Sequence, residues 1–125
     1  MRLLLDTHIF IWLITDDKRL KAPARRLITS ASQIFVSSAS IWEIAIKARI
    51  NKIHADSEAA VQEMKICGFL EMPVLAKHAV VVSKLALLHN DPFDRLLVAQ
   101  AISETIRLLT ADPQLKAYSE LVECV

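Results

Sequence analysis

Glycine is almost missing from this chain: of 125 residues, only Gly68 is one. Phosphate-cradling loops of the Walker or dinucleotide type need several glycines, so both are excluded. Cysteine is scarce too, and Cys67 and Cys124 show neither metal-ligand spacing nor a disulfide framework. Long hydrophobic runs are missing. Asp6 separates Leu3–Leu5 from Ile9–Ile14, and Ser83 with Lys84 separates Ala79–Val82 from Leu85–Leu88. Nothing approaches the ~18 apolar residues of a membrane span, and Asp6 and His8 fall too early for a signal-peptide core. Surplus basic charge is missing as well, with 15 basic residues against 14 acidic ones and a net charge of +1. A general nucleic-acid coat is strongly basic, so any nucleic-acid contact here is local or assisted by metal ions. A protein of a reducing, cytoplasmic setting with no membrane association is expected.

What is present is apolar residue content, 54% of the chain. That excludes disorder, because a disordered chain lacks the apolar surface to bury. The length fits one domain, residues 1–125, with no linker, repeat or low-complexity segment. Short apolar runs alternate with helical patterns. Strands are expected at Arg2–Asp6, Ile34–Val36, Ile106–Leu109 and Leu121–Glu123, with an extended segment at Phe69–Val74. Helices are expected at Thr7–Ile14, Pro23–Ser32, Ser38–Ile50, Ser57–Cys67 (closed by Gly68), Leu75–Leu88, Phe93–Thr105 and, briefly, Pro113–Ala117. Trp12 and Trp42 read as core. Such alternation, without Asn-Gly or Asp-Gly hairpin signals, predicts an α/β fold: a central, mostly parallel sheet with helices on both faces.

The acids carry the functional signal. Asp6 closes the first strand, Glu43 lies early in the helix after the second, Asp94 falls in the first turn of a long helix, and Asp112 follows the strand Ile106–Leu109. In a parallel sheet ligands bind at the carboxyl ends of the strands, so acids from distant parts of the chain are brought to one edge. Carboxylates gathered there repel one another unless neutralised, and a hard divalent cation such as Mg²⁺ or Mn²⁺ prefers oxygen ligands. Local roles compete. Asp91-Pro92 and Asp112-Pro113 are good helix starts. Ser40 with Glu43 has the form of a capping box, and Glu43 with Lys47 that of an i,i+4 ion pair. Asp6 is harder to explain locally, because a charge flanked by apolar runs is costly to bury alone. The four histidines have no metal spacing, although His8 and His89 lie near the acids.

The segments Leu3-Leu4-Leu5-Asp6-Thr7-His8, Ser40-Ile41-Trp42-Glu43-Ile44-Ala45-Ile46-Lys47, Asp91-Pro92-Phe93-Asp94-Arg95-Leu96-Leu97-Val98-Ala99-Gln100-Ala101 and Leu109-Thr110-Ala111-Asp112 resemble the ordered motifs of the PIN domain. More narrowly they resemble the VapC-type toxins of bacterial toxin–antitoxin pairs. The resemblance spans the whole chain and implies a PIN-like fold and a ribonuclease using Mg²⁺ or Mn²⁺. It implies Asp6, Glu43, Asp94 and Asp112 as catalytic and metal-binding acids, Asp91 as a peripheral acid, and Thr7 and Thr110 as hydroxyls beside them. A cognate antitoxin and a homodimer are implied as partnerships. Arg95, adjoining Asp94, is a phosphate candidate, and Ile9–Leu13 a candidate partner groove. Two alternatives remain: a phospho-acceptor receiver domain, suggested by Leu109-Thr110-Ala111, and a PIN fold that only binds partners.

Overall fold

Leu3, Leu4 and Leu5 are each fully buried. Successive side chains of a strand point to opposite faces, so such a run needs cover on both sides, and the fold provides it. The computed structural model describes residues 1–125. Five strands, β1 (Arg2–Leu5), β2 (Gln33–Ser37), β3 (Leu70–Met72), β4 (Arg107–Thr110) and β5 (Val122–Cys124), form one sheet in the order β3-β2-β1-β4-β5. Every neighbouring pair is parallel. The helices are α1 (Thr7–Ile14), α2 (Ala22–Ser30), α3 (Ser38–Arg49), α4 (Ser57–Ile66), α5 (Ala76–Val82) and α6 (Pro92–Glu104), with a 3₁₀ turn over Pro113–Tyr118.

The alternation along the strands divides the core in two. Leu3, Leu5, Val36 and Leu109 join Ile9 and Phe10 of α1, Ile28 of α2, Ile44 of α3 and Met64 of α4. Leu4, Leu108 and Val122 face the other way, against Leu97, Val98 and Ala101 of α6 and Leu115 of the 3₁₀ turn. Burying a leucine or valine side chain of this kind contributes about 1.5–3 kcal/mol. No helix is long and apolar enough to cross a membrane.

The strand order removes the receiver-domain alternative, because receivers follow the order 2-1-3-4-5 and this sheet runs 3-2-1-4-5. Three local expectations also need correction. The helix expected over Leu75–Leu88 stops at Val82. There the Ser83 hydroxyl takes the Val80 carbonyl, and Arg95 takes those of Val82 and Ala86, which ends the ladder. Leu87 and Leu88 beyond it are exposed. Ser40 is no helix cap: Ser37 caps α3, and Ser40 is buried with its hydroxyl accepting from Thr7 at 2.9 Å. Trp42 is not core either. It is 61% exposed and meets Phe93 edge-on, with 5.3 Å between ring centroids.

Candidate metal and catalytic site

The carboxyl edge of a parallel sheet is where each strand hands over to the next element, so helix N-termini gather there. Three of the acids are caps. Asp6 caps α1, accepting from the Ile9 amide at 2.8 Å. Asp91 caps α6, accepting from the amides of Phe93 and Asp94. Asp112 caps the 3₁₀ turn, accepting from Gln114. Capping and convergence therefore have one cause: the helix N-termini favour negative charge and lie at the same edge. The Asp6 cap has no sequence signature of its own, since Asp6 reads first as the end of a strand.

Asp6, Asp94 and Asp112 line one open depression together with His8, Trp12 and Ala111. Asp6 is 5% exposed, and burial raises its carboxyl above the ordinary value. The Thr110 hydroxyl and the Ile9 amide, both donating to it, pull the other way. Asp94 is pushed up to about 7, by burial first and then by the charges of Asp91, Asp6 and Glu43. Those acids thus lie close enough to feel one another, although their motifs are far apart in sequence.

Two cationic or donor groups border the cluster. Lys47 pairs with Oε2 of buried Glu43 and stands 3.6 Å from Asp91, so the expected i,i+4 pair is present. Nε2 of His89 is 3.1 Å from Oδ2 of Asp94 and 3.1 Å from Oδ2 of Asp112. The Asp91 amide points at Nδ1 of the same ring, at 3.3 Å. A backbone N–H can only donate, so Nδ1 accepts and Nε2 carries the proton. His89 is therefore a donor into the acid cluster. Sequence reasoning undervalued it because its contacts depend on the loop after α5, not on a spacing motif.

This arrangement fits a divalent cation. Oε1 of Glu43 is buried without a hydrogen-bond partner, which is costly for a carboxylate. The carboxylates of Asp94 and Asp112 bring oxygen atoms within 4.8 Å of one another. Asp6, Glu43 and Asp91 act on Asp94, Asp112 lines the same depression, and the one ammonium paired with these acids is that of Lys47. Oxygen donors in excess of local cations are the donor set that Mg²⁺ or Mn²⁺ takes.

The other expected residues divide. Thr110 donates to Asp6 from the neighbouring strand, and its hydroxyl also accepts from the Asp112 amide. Thr7 is buried but donates to Ser40, not to an acid. Arg95 is not free to bind phosphate: its guanidinium donates to the carbonyls of Ala86 and Val82 and to the Tyr118 hydroxyl.

A family model described as PIN domain matches residues 3–121. The chain is 29% identical over 126 aligned positions to Ribonuclease VapC22 of Mycobacterium tuberculosis, covering 92% of this chain and 90% of that protein. Among solved structures it resembles VapBC2 from Rickettsia felis bound to a promoter DNA fragment, with a TM-score of 0.71 at 20% identity, covering 99% of this chain and 98% of that one. It also resembles a toxin–antitoxin complex from Klebsiella pneumoniae, with a TM-score of 0.68 at 17% identity, covering 97% and 95%.

Proposed function

The chain belongs to the PIN domain family, and from that premise we propose that it is a Mg²⁺- or Mn²⁺-dependent endoribonuclease. We propose further that it is the toxin of a type II toxin–antitoxin pair, held inactive by a cognate antitoxin. The reading takes residues 1–125 as a single PIN domain working in the cytoplasm, with a homodimer expected by family resemblance. The single observation that carries it is the meeting of Asp6, Glu43 and Asp91 around Asp94, a carboxyl that burial first and then their charges push up to about 7. The relative named a ribonuclease and the neighbouring toxin–antitoxin assemblies support the direction of the reading. A fold that only binds partners has no need of buried carboxylates in mutual repulsion.

Asp6, Asp94, Asp112 and Glu43 would hold the cation. When bound, it neutralises charge on the scissile phosphate and lowers the pKa of water at the site. The protein's own residues do the rest. Thr110 donates to one oxygen of Asp6 and the Ile9 amide to the other, which fixes the rotamer of that carboxylate. Lys47 holds Oε2 of Glu43 and leaves Oε1 open. Nε2–H of His89 donates to Oδ2 of Asp112, with Oδ2 of Asp94 also 3.1 Å from the same nitrogen. A carboxylate of this cluster would take the proton of the attacking water. The test is expression of the wild type, Asp6→Asn and Asp94→Asn in a bacterial host, alone and with the gene beside this one. Growth arrest and RNA cleavage are expected from the wild type alone. Wild-type cleavage by Asp6→Asn, or toxicity unchanged by the neighbouring product, would count against the proposal.

A further inference from the structure

An acid-rich site has a difficulty of its own, because RNA is a polyanion and the carboxylates repel it. The net charge of +1 gives no general attraction to offset this. A second depression beside the first answers the difficulty. His8 and Trp12 line both, so the two share a wall. The first holds the acids, and the second is rimmed by Arg19, Lys52 and His54. We propose that this second depression is a nucleotide subsite, which binds the base and phosphate of the single-stranded RNA residue next to the scissile bond. The inference rests on the ribonuclease reading above and adds where the strand is gripped.

The chemistry matches an unpaired nucleotide. Single-stranded RNA is recognised by stacking bases on aromatic rings or on the plane of an arginine, with cations tracking the phosphates. The Arg19 guanidinium carbon lies 5.1 Å from the centroid of the Trp12 ring. Asp17 grips the same guanidinium through Nε and Nη2. It is therefore held over the indole while its side chain remains 69% exposed, which leaves a planar cation open to a base. His8 leans on the same tryptophan, with 6.2 Å between centroids.

The rim is built in advance. Arg25 ties down the loop that carries Arg19, donating to the carbonyls of Asp17 and Leu20 and pairing with Asp16. On the other side Ile53 is 6% exposed and belongs to the core, which anchors Lys52 and His54 on either side of it. Lys52 and His54 are exposed, and neither takes part in any ion pair of the molecule. An uncommitted lysine beside an arginine held over a tryptophan and a neighbouring imidazole suits a phosphate and its base. A strand whose phosphate meets Asp6, Asp94 and Asp112 reaches this subsite across the shared wall without leaving the surface.

The test uses the Asp94→Asn protein, so that RNA is bound without being cut, and short random-sequence single-stranded RNA followed by fluorescence anisotropy over a range of salt. Lys52→Ala should weaken binding severalfold and reduce the slope of log K against log salt by about 0.7, the share of one phosphate contact on a single strand. The double variant D17N/R19Q removes the planar cation without stranding a carboxylate and without changing net charge. It should weaken binding roughly fivefold or more, as expected for loss of one stacked base. Lys65→Ala removes one charge from an exposed position on α4 and should change neither affinity nor slope. In the cleaving protein, D17N/R19Q should also relax the base preference beside the cut. Wild-type affinity and slope in both Lys52→Ala and D17N/R19Q would overturn the subsite while leaving the nuclease reading intact. So would variants that keep RNA but lose the partner protein encoded by the neighbouring gene. If the Asp94→Asn parent binds no RNA at all, the nuclease reading fails and the subsite with it.

Discussion

His89 donates through Nε2–H to Oδ2 of Asp112 at 3.1 Å, and the direction of that bond is set from behind by the Asp91 amide on Nδ1. The tautomer can be read directly. Nitrogen-15 NMR of the protein without added metal should show His89 with a pyridine-like Nδ1 and a protonated Nε2; the reverse pattern would refute the assignment. His89→Ala should destabilise the metal-free fold by about 1–2 kcal/mol, as expected when a hydrogen bond to a charged acceptor is lost. The deficit should narrow once Mn²⁺ is added, because a cation then screens Asp94 from Asp112.

Asp94 gives the metal-free fold an unusual pH response. Its carboxyl sits near 7 in the fold against an ordinary value of 3.8. The unfolded chain therefore releases this proton first, and the contribution of Asp94 to stability is complete below about 3.8, falls as pH rises, and is gone above about 7. Asp94→Asn removes that loss. Its melting temperature, measured with chelator present, should exceed that of the wild type by a margin that grows between pH 5 and pH 8. A margin that shrinks over that range would contradict the crowding of charges described here.

Thr105 ends α6 in the left-handed region, with φ 51° and ψ 54°. A β-branched residue is strained there, at roughly 1–2 kcal/mol, whereas glycine is not. Thr105→Gly should stabilise the protein by up to about 1 kcal/mol, because glycine also gains freedom when unfolded. Urea denaturation gives the sign, and a destabilised variant would show that Thr105 contributes something its backbone strain conceals.

Arg95→Ala should free residues 83–88. Three acceptors, on Ala86, Val82 and Tyr118, lose their donor, at a cost of about 1–3 kcal/mol in total for partly buried groups. Hydrogen exchange should quicken between Val82 and His89 while α6 keeps its protection.

How much of this was legible in the chain depends on whether the signal was local. Leu3-Leu4-Leu5 announces a strand buried on both faces, and Thr7–Ile14 becomes a helix with the same bounds. Gly68, with φ 74°, stands just past α4 as a glycine should. The acidic set could be named because strand ends and helix starts position it. The misreadings share a physical reason: each depended on a partner remote in sequence. Ser40 looks like a cap until Thr7 is seen against it. Arg95 looks available until the loop after α5 folds onto its guanidinium. Leu75–Leu88 has helical content, but the carbonyls after Val82 find other donors. Trp42 has the composition of a core residue, yet lies on the outer side of α3, against Phe93.

The central claim is that Asp6, Glu43, Asp94 and Asp112 form one cation site that cuts RNA. The most direct measurement is the rate at which the purified chain cleaves single-stranded RNA, after chelation and then against added Mn²⁺, for the wild type and Asp6→Asn side by side. The wild type should be silent in chelator and recover along a saturating curve. Asp6→Asn should fall by about a thousandfold at any Mn²⁺ concentration, since several kcal/mol of transition-state stabilisation depend on the cation it helps to hold. Cleavage that persists in chelator, or an Asp6→Asn protein that recovers with the wild-type curve, would contradict the account.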